Sequence, residues 1–335
     1  MICSAFPQTG GIVEPKTVRI GSRGSALALW QARWVRGRLG ASSPGRVFDI
    51  VIIKTKGDKI LDAPLSKIGD KGLFTREIEH ALLEETVDLA VHSLKDLPTE
   101  LPEGLTIGAV CEREDVRDVF LPRPGNQIRT LLDQPAGAEI ATGSLRRKCQ
   151  LLNLRPDLRI VDIRGNLNTR LTKLDQSSWA GMLLARAGVV RLGWEDRVGE
   201  SLDPLTILPA VGQGALAVEI RTGDEETRQL IAGLHHPWTG HATEAERALL
   251  RRLEGGCQVP IGTYGRVVEG SGGHRLMLDA IVGSLDGHTV VRGAVEGDPG
   301  EAALLGSRLA ELLLERGARA ILADIRRVPG RADGS

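Results

Sequence analysis

The sequence predicts an α/β protein with two α/β domains and a smaller α+β domain at its C-terminal end, and three observations carry this prediction. Short apolar runs of β type alternate with helical patterns through the first half of the chain. This alternation breaks around Cys111–Asp118 and again near Leu208–Gly214, where Pro and Gly punctuate the chain. After about residue 236 the pattern changes to a helix followed by glycine-rich, hairpin-like strands. A chain of 335 residues also exceeds one ordinary core, which favours two or three domains.

The predicted elements of the first half follow one another in strand and helix order. The strands are Val18–Gly21, Phe48–Thr55, Asp88–His92, Leu105–Cys111, Glu139–Thr142, Arg159–Ile163 and Gly181–Ala185. The helices are Ser25–Leu39, Arg76–Glu84, Leu145–Leu154 and Leu167–Leu174. This order predicts parallel or mixed sheets with helices on both faces.

The C-terminal part predicts a separate α+β unit. Its elements are a helix at Thr243–Arg252, strands at Gly262–Val268, Leu276–Ser284 and Thr289–Val295, and a helix at Glu301–Glu315. Residues 1–16 predict no regular element and are interpreted as an extension.

Composition limits the class of protein. Hydrophobic residues at 41% and charged residues at 26% are typical of a globular chain, and no apolar stretch approaches the ~20 residues of a membrane-spanning helix. The N-terminal residues lack a basic region followed by an apolar core, so we expect a cytoplasmic protein. The cysteines (Cys3, Cys111, Cys149 and Cys257) form no C-x-x-C pair, which argues against a zinc site or a disulfide framework. A net charge of zero and an aromatic content of 3% favour small anionic ligands over nucleic acid.

Cations and hydroxyls follow the carboxyl ends of several predicted strands, where ligands bind in open α/β sheets. These residues include Arg23, Ser25, Ser93, Lys95, Asp96, Ser144, Arg146, Arg147, Arg164 and Arg191. Helix N-termini at the same edge also favour anions. Arg146 and Arg147 lie in a first helical turn, where the helix dipole disfavours a cation by up to about 1 kcal/mol. An anionic ligand explains this placement, and ordinary surface ion pairs are the alternative.

Three further segments allow both a functional and a purely structural interpretation. Lys95-Asp96 is either a local ion pair or a general acid/base carboxylate beside a cation. The long lysine-rich segment Lys54–Phe74 is either a lid that brings lysines to an anionic substrate or a solvated loop. Cys257 follows two glycines and is either an accessible nucleophile or a small buried hydrophobe.

Long blocks of the sequence, in order, resemble the hydroxymethylbilane synthase (porphobilinogen deaminase) family. They are IGSRGSALALWQA (20–32), KTKGDKILDAPLSKIGDKGLFTREIE (54–79), DLAVHSLKDLP (88–98), CEREDVRDVFL (111–121), TGSLRRKCQLL (142–152), DIRGNLNTRLTKL (162–174), LPAVGQGALAVEIR (208–221) and LEGGCQVPIGTYG (253–265). Gly143 stands where many members have serine, and residues 235–247 are less typical of the family.

The resemblance implies three domains, two of them similar to periplasmic binding proteins. Their expected bounds are 17–112 with 213–235 for the first, 113–212 for the second and 236–335 for the third. It implies a transferase that joins four porphobilinogen units with loss of ammonia on a dipyrromethane cofactor, and then releases hydroxymethylbilane by hydrolysis. The cofactor is expected on Cys257 through a thioether. We expect a monomer that binds neither nucleic acid nor membrane.

The resemblance also implies a role for each site residue. The catalytic set is Asp96 with Lys95 and Arg23. The cofactor set is Cys257, Lys95, Asp96, Ser144, Arg146, Arg147 and Arg170. The substrate set is Arg23, Ser25, Ser93, Thr142, Arg164, Arg170, Arg191 and Gln213. The lid set is Lys67, Lys71 and Phe74, and no metal is expected. Arginine suits the acetate and propionate groups of porphobilinogen because its guanidinium binds a carboxylate in bidentate fashion.

Two other classes of protein are less consistent with the sequence. A non-enzymatic binding protein for a small polyanion would share the two-domain architecture but would need neither Asp96 nor Cys257. A nicotinamide-dependent oxidoreductase would need a G-x-G-x-x-G motif after a strand, and the sequence contains none in that position.

Overall fold

The computed structural model of the protein describes residues 17–59, 72–253, 259–270 and 272–327. These residues form two five-stranded mixed sheets with flanking helices and one three-stranded antiparallel sheet with its own helices. The predicted fold class, two α/β domains and a small α+β domain, is therefore confirmed. The extension at residues 1–16, the lid lysines Lys67 and Lys71, and Cys257 lie outside the described residues.

The first sheet has the order β2-β1-β3-β10-β4. Its strands are β1 (Thr17–Ser22), β2 (Val47–Ile52), β3 (Leu89–Ser93), β4 (Leu105–Val110) and β10 (Leu216–Arg221). Strands β2 and β3 run parallel to β1, whereas β10 is antiparallel to both of its neighbours. The associated helices are Ala26–Ser42, Lys56–Lys59, Arg76–Leu83 and Glu225–Ile231, with 3-10 turns at Leu94–Asp96 and Ala232–Leu234.

The second sheet has the order β7-β6-β8-β5-β9. Its strands are β5 (Asp118–Pro122), β6 (Glu139–Ala141), β7 (Arg159–Val161), β8 (Gly181–Ala185) and β9 (Glu200–Ser201). Its helices are Leu145–Leu154, Leu167–Gln176 and Arg186–Arg191, with a 3-10 turn at Glu195–Arg197. Strand β8 is fully buried, as expected for an inner strand covered on both faces.

The third unit is an antiparallel meander packed against helices. Its strands are β11 (Ile261–Gly270), β12 (Gly273–Gly283) and β13 (Val290–Gly297). Its helices are Pro237–Arg252, Ala302–Leu313 and Arg319–Arg327, with a 3-10 turn at Pro299–Glu301 and a π turn at Leu314–Ala318. Two of the helices cross closely at Gly306, where an added Cβ would lie 2.2 Å from the carbonyl oxygen of Ala245. Only glycine fits this crossing without displacing the backbone.

Several elements differ from the sequence prediction. Strands β5 and β10 were not predicted, although each occupies an interior position of its sheet. The first helix of the third unit begins at Pro237, six residues before the predicted start, because His236 caps it by accepting a hydrogen bond from the Thr239 N–H at 3.2 Å. Proline is favoured in the first turn of a helix, where its missing N–H costs nothing. The domain bounds stay predictions.

Candidate active site

A cavity of about 70 Å³ lies between the two α/β units and brings together residues that follow different strands. Ser93 ends β3 and Lys95 follows it, and Arg191 ends the helix that follows β8. Arg147 and Arg170 belong to the helices that follow β6 and β7. The other lining residues include Leu27, Leu167, Leu184, Ala187 and Gly188. The cavity therefore combines a cationic rim with an apolar wall of small and branched side chains.

Lys95 and Asp96 lie in the 3-10 turn that directly follows β3. The Leu94 N–H donates to the Ala215 carbonyl at 3.0 Å, which ties the start of this turn to the segment before β10. Burial of the amine lowers the pKa of Lys95 to about 8, although the neighbouring Asp96 carboxylate acts in the opposite direction. Asp96 itself is exposed, and its charge acts on both Lys95 and Arg170. An exposed carboxylate thus stands beside a cation whose charge changes close to neutral pH.

Arg146 and Arg147 share one buried carboxylate, that of Asp118. Arg146 Nη1 donates to Asp118 Oδ2 at 2.7 Å, and Arg147 Nη2 donates to Asp118 Oδ1 at 2.8 Å. Burial alone would raise the pKa of Asp118, but the two guanidinium groups outweigh burial and hold this pKa well below its usual range. Two cations against one carboxylate leave an excess of positive charge at the base of the cavity.

Backbone carbonyls and Gln213 complete this buried group. Arg146 also donates to the carbonyl of Leu208 at 2.8 Å, and Arg147 donates to that of Leu183 at 3.0 Å. The Gln213 amide donates to Asp118 Oδ1 at 2.8 Å and to the Val116 carbonyl at 2.7 Å. Two crossover segments connect the α/β units: residues 111–117, between β4 and β5, and residues 202–215, between β9 and β10. Gln213 was predicted to contact substrate, and in this structure its amide group joins the second crossover to the first.

The other predicted arginines of the cleft have fewer partners. Arg170 Nε donates to the carbonyl of Gly165 at 2.8 Å, and burial, followed by repulsion from Arg147, lowers its pKa to about 10. Arg191 Nη2 donates to the carbonyl of Gly214 at 2.7 Å. Arg164 lies 3.5 Å from the exposed carboxylate of Asp162. Among the described residues, Arg170 and Arg191 have no carboxylate ion-pair partner, which leaves their charge available to a ligand.

Arg23 is held by the segment that was predicted as a lid. Its Nη2 lies 2.5 Å from Asp58 Oδ1, and its guanidinium lies 4.2 Å from the centre of the Phe74 ring. Phe74 is also close to Gly57, where an added Cβ would lie 2.2 Å from the ring. The two described ends of the lid segment therefore meet at Arg23.

The predicted hydroxyl groups have local partners. Ser25 and Ser144 cap helices by accepting from the N–H groups of Ala28 at 3.3 Å and Arg147 at 3.4 Å. The Thr142 hydroxyl accepts from the Ser144 N–H at 3.2 Å. The Ser93 hydroxyl accepts from the Gln31 side-chain amide at 2.8 Å. Their first role in this structure is to shape the backbone that presents the arginines.

Two acidic residues of the site were missed by sequence reasoning. Asp118 lies in the CEREDVRDVFL block, and Asp58 lies in the lysine-rich segment, but neither was singled out. For Asp118 the available signal was an acidic residue at the start of an apolar run, which is unfavourable in a core unless a cation pairs with it. Within the described residues no cluster of histidine, cysteine and acidic side chains has the arrangement of a metal site. In the same part of the chain no helix has the length and apolar character needed to cross a bilayer.

Comparison with known proteins identifies one family. The family model described as "Porphobilinogen deaminase, dipyromethane cofactor binding domain" matches residues 18–229, and "Porphobilinogen deaminase, C-terminal domain" matches residues 241–315. Porphobilinogen deaminase of Carboxydothermus hydrogenoformans is 54% identical over 93% of this chain and 98% of its own length. Porphobilinogen deaminase of Desulforamulus reducens is 51% identical over 92% of this chain and 98% of its own length.

Among solved structures, the chain is similar to a probable amino-acid ABC transporter extracellular-binding protein from Bacillus subtilis. The TM-score is 0.40 at 10% identity, over 66% of this chain and 90% of that one. The two family models together span most of the described residues, and the curated relatives match nearly end to end. The chain belongs to the porphobilinogen deaminase family.

Proposed function

We propose that this protein is a hydroxymethylbilane synthase, which joins four porphobilinogen units with loss of ammonia and releases the linear tetrapyrrole by hydrolysis. The observation that carries the proposal is the arrangement of Lys95, Arg147, Arg170 and Arg191 around one cavity, with the exposed Asp96 next to Lys95 in the chain. A growing chain of pyrroles bears an acetate and a propionate on every ring, so its negative charge rises with each addition. An excess of fixed cations offsets that charge without reorganisation.

The residues present fit a dipyrromethane cofactor. The Nε–H groups of Arg146 and Arg147 are buried and have no hydrogen-bond partner among the described residues, so both guanidinium groups have unused donor capacity next to the cleft. Lys95, Arg147 and Arg170 are the residues that would bind the carboxylates of the cofactor. When bound to Cys257, the cofactor supplies the nucleophilic pyrrole carbon to which the first substrate is added.

Asp96 supplies the acid/base chemistry in this proposal. When the C–N bond of porphobilinogen breaks, the electron pair leaves with ammonia and a cationic azafulvene remains. A carboxylate close to the pyrrole N–H stabilises this cation, and the same group can accept the proton that the ring loses after coupling. The exposure of Asp96 leaves its oxygens accessible to a substrate.

Lys95 and the arginines bind and orient the substrate. Lys95 lines the cavity together with Arg170 and Arg191, so carboxylates of one substrate can contact cations from both α/β units. Bidentate binding by arginine fixes the direction of a carboxylate as well as its position. Holding the aminomethyl carbon of one pyrrole near the next pyrrole converts a bimolecular encounter into an oriented step.

The proposal includes a cytoplasmic monomer as the working form. Cys111 and Cys149 are both buried free thiols, in agreement with a reducing compartment. Size-exclusion chromatography with light scattering at several protein concentrations tests the monomer. A mass of twice 36.0 kDa that persists on dilution would contradict it.

Intact-mass spectrometry of the purified protein tests the proposed function. We expect a mass increase of two linked pyrroles that maps to the peptide containing Cys257, together with turnover of porphobilinogen. Cys257→Ala should lack this increase, whereas Cys149→Ala, at a buried free cysteine elsewhere, should retain it. An unmodified wild-type mass with full turnover would refute the role of Cys257. Full cofactor loading without turnover would instead favour a polyanion-binding protein.

Asp96→Asn is the matched test of the acid/base role. We expect the variant to fold and to retain the cofactor, but to lose turnover by about 100-fold or more, which is the usual contribution of a positioned acid/base group. Asp175→Asn, at an exposed carboxylate that pairs with Arg197 away from the cleft residues, is the control and should change turnover little. A near-normal rate in Asp96→Asn would exclude this residue from the mechanism.

A further inference from the structure

The turn that carries Asp96 is held from the third unit of the protein by a buried arginine, Arg247. This residue lies on the helix Pro237–Arg252 and is 8% exposed. Its Nη2 donates to the carbonyl of Pro98 at 2.7 Å and to that of Thr99 at 3.2 Å, and its Nη1 donates to that of Leu97 at 3.4 Å. One guanidinium therefore binds three consecutive carbonyls of the segment that directly follows Asp96.

Charge and burial show that this contact is unusual. Burial lowers the pKa of Arg247 to about 10, with a further contribution from Arg251, so the group still carries its charge at neutral pH. No carboxylate forms an ion pair with it among the residues that the structure describes. A buried guanidinium without an anionic partner is costly unless its N–H groups are satisfied by well-placed acceptors. The carbonyls of Leu97–Thr99 are those acceptors, and they must all point towards Arg247.

The clamped segment is stiff, so a force on its carbonyls reaches Asp96. Pro98 has a fixed φ and restricts Leu97 to the extended region, where Leu97 has φ −78° and ψ 136°. The Leu97 N–H closes the 3-10 turn by donating to the Leu94 carbonyl at 3.2 Å. Asp96 is thus fixed on one side by the Leu94 contact with Ala215 and on the other side by the Arg247 contacts.

The helix that carries Arg247 also leads into the segment with Cys257. It ends at Arg252, five residues before this cysteine. We propose that Arg247 is a positioning residue that sets the orientation of the Asp96 carboxylate, because it binds the three carbonyls that directly follow this residue. This inference rests on the proposed function and adds a residue from the third unit to the machinery of the first.

Arg251 assists from the next turn of the same helix. Its Nη2 donates to the Thr99 carbonyl at 2.9 Å, but the contact is exposed to solvent. An exposed hydrogen bond competes with water and contributes less than a buried one. Loss of Arg251 should therefore lower kcat, as loss of Arg247 does, but by a smaller factor.

The test compares variants by kcat per cofactor-bearing enzyme, with cofactor content measured by intact mass. We expect Arg247→Met to lower this kcat by about 100-fold, in line with the cost of a misplaced catalytic group, while KM changes less than threefold. Arg247→Lys keeps the charge but cannot span three carbonyls with one compact ammonium, so it should recover only part of the rate. Arg251→Ala should lose about threefold.

Two further variants keep the test decisive. Pro98→Gly loosens the clamped segment from the other side, and we expect it to lower kcat per cofactor-bearing enzyme with the fold and KM retained. Arg252→Ala is the control, because Arg252 lies on the same helix but pairs with Glu311 within the third unit. It should keep the wild-type kcat.

The outcomes separate this inference from the proposed function. A wild-type protein without cofactor or turnover contradicts the proposed function. The positioning role alone is overturned if the wild type turns over substrate and kcat per cofactor-bearing enzyme is unchanged in three variants. These variants are Arg247→Lys, Arg251→Ala and Pro98→Gly. A purely structural role for Arg247 predicts that second pattern, with only the yield and the unfolding temperature lowered.

Discussion

Arg113 and Glu246 form a buried bidentate ion pair, with Nη1 to Oε1 at 2.8 Å and Nη2 to Oε2 at 3.1 Å. The Glu246 carboxylate also accepts the N–H groups of Gly212 and Gly265, each at 2.7 Å. Arg113 Nε donates to the Gln213 carbonyl at 2.8 Å. Arg113 belongs to the first crossover between the α/β units, Gly212 to the second, and Glu246 to the third unit. One ion pair therefore joins both crossovers to the third unit.

Breaking this pair should destabilise the whole chain. Glu246→Gln leaves the Arg113 charge buried without its counter-ion, and we expect a loss of about 3–5 kcal/mol in the free energy of unfolding. Urea denaturation followed by circular dichroism measures it. Arg252→Ala, which breaks an exposed pair, should cost no more than about 1 kcal/mol. If Glu246→Gln lowers the free energy of unfolding by less than about 1 kcal/mol, the Arg113–Glu246 pair does not contribute substantially to stability.

Asp118→Asn should change how stability depends on acidity. The folded-state pKa of Asp118 is depressed, so its contribution is present above the unfolded pKa of about 3.9 and is lost as pH falls below that value. Wild-type stability should therefore fall more steeply than that of the variant between roughly pH 4 and pH 2. Thermal unfolding across this range gives the comparison, with Asp175→Asn at an exposed ion pair as control. Parallel curves for wild type and Asp118→Asn would contradict the assignment.

Lys95 should make substrate binding sensitive to mildly alkaline pH. Its amine carries a charge below about 8 and loses it above, because burial has lowered its pKa. The KM for porphobilinogen should rise between pH 7 and pH 9.5 as the cation is lost. In Lys95→Gln, KM should be about tenfold higher at pH 7, the worth of one charge-assisted hydrogen bond, and nearly flat through pH 8. Lys173→Gln is the control and should keep the alkaline rise in KM. If the rise persists in Lys95→Gln, another group is responsible.

Asp58→Asn should strengthen the binding of substrate carboxylates. Arg23 is neutralised by Asp58 at 2.5 Å, so an incoming carboxylate has to displace this partner. Removing the charge of Asp58 should lower KM by up to about fivefold, because a partly exposed ion pair is worth about 1 kcal/mol. Steady-state kinetics at constant ionic strength is the measurement, and Arg23→Gln should raise KM. A higher KM in Asp58→Asn would mean that the pair is required for binding.

The general fold could be predicted because its strands are short apolar runs separated by helical patterns. β1, β3 and β8 begin within one residue of their predicted starts. β10 was missed because it closely follows the Pro- and Gly-containing segment Leu208–Gly214, and β5 because it directly follows the charged segment Cys111–Arg117. Both segments were interpreted as interruptions of the pattern. Their sheet positions depend on pairing with distant strands, and local periodicity carries no information about that pairing.

The residues of the cleft could be identified as a group, but their partners could not. Ser93, Lys95, Arg147, Arg170 and Arg191 all follow strand ends, and the structure places them around one cavity. Their roles stay predictions. Asp118 binds both Arg146 and Arg147, and Asp58 binds Arg23. These tertiary contacts join residues that lie 28 to 35 positions apart in the sequence. A sequence pattern indicates where a charge lies along the chain, whereas its counter-ion is chosen by folding.

The position of β10 between β3 and β4 has a consequence for synthesis of the chain. Neither β3 nor β4 has a neighbour on that side until Leu216–Arg221 inserts, and all strands from β5 to β9 are translated in between. In the nascent chain, the edges of β3 and β4 that later pair with β10 therefore stay unpaired while the second sheet is synthesised. Open edges pair readily with other chains, so this interval is when the polypeptide is most exposed to aggregation.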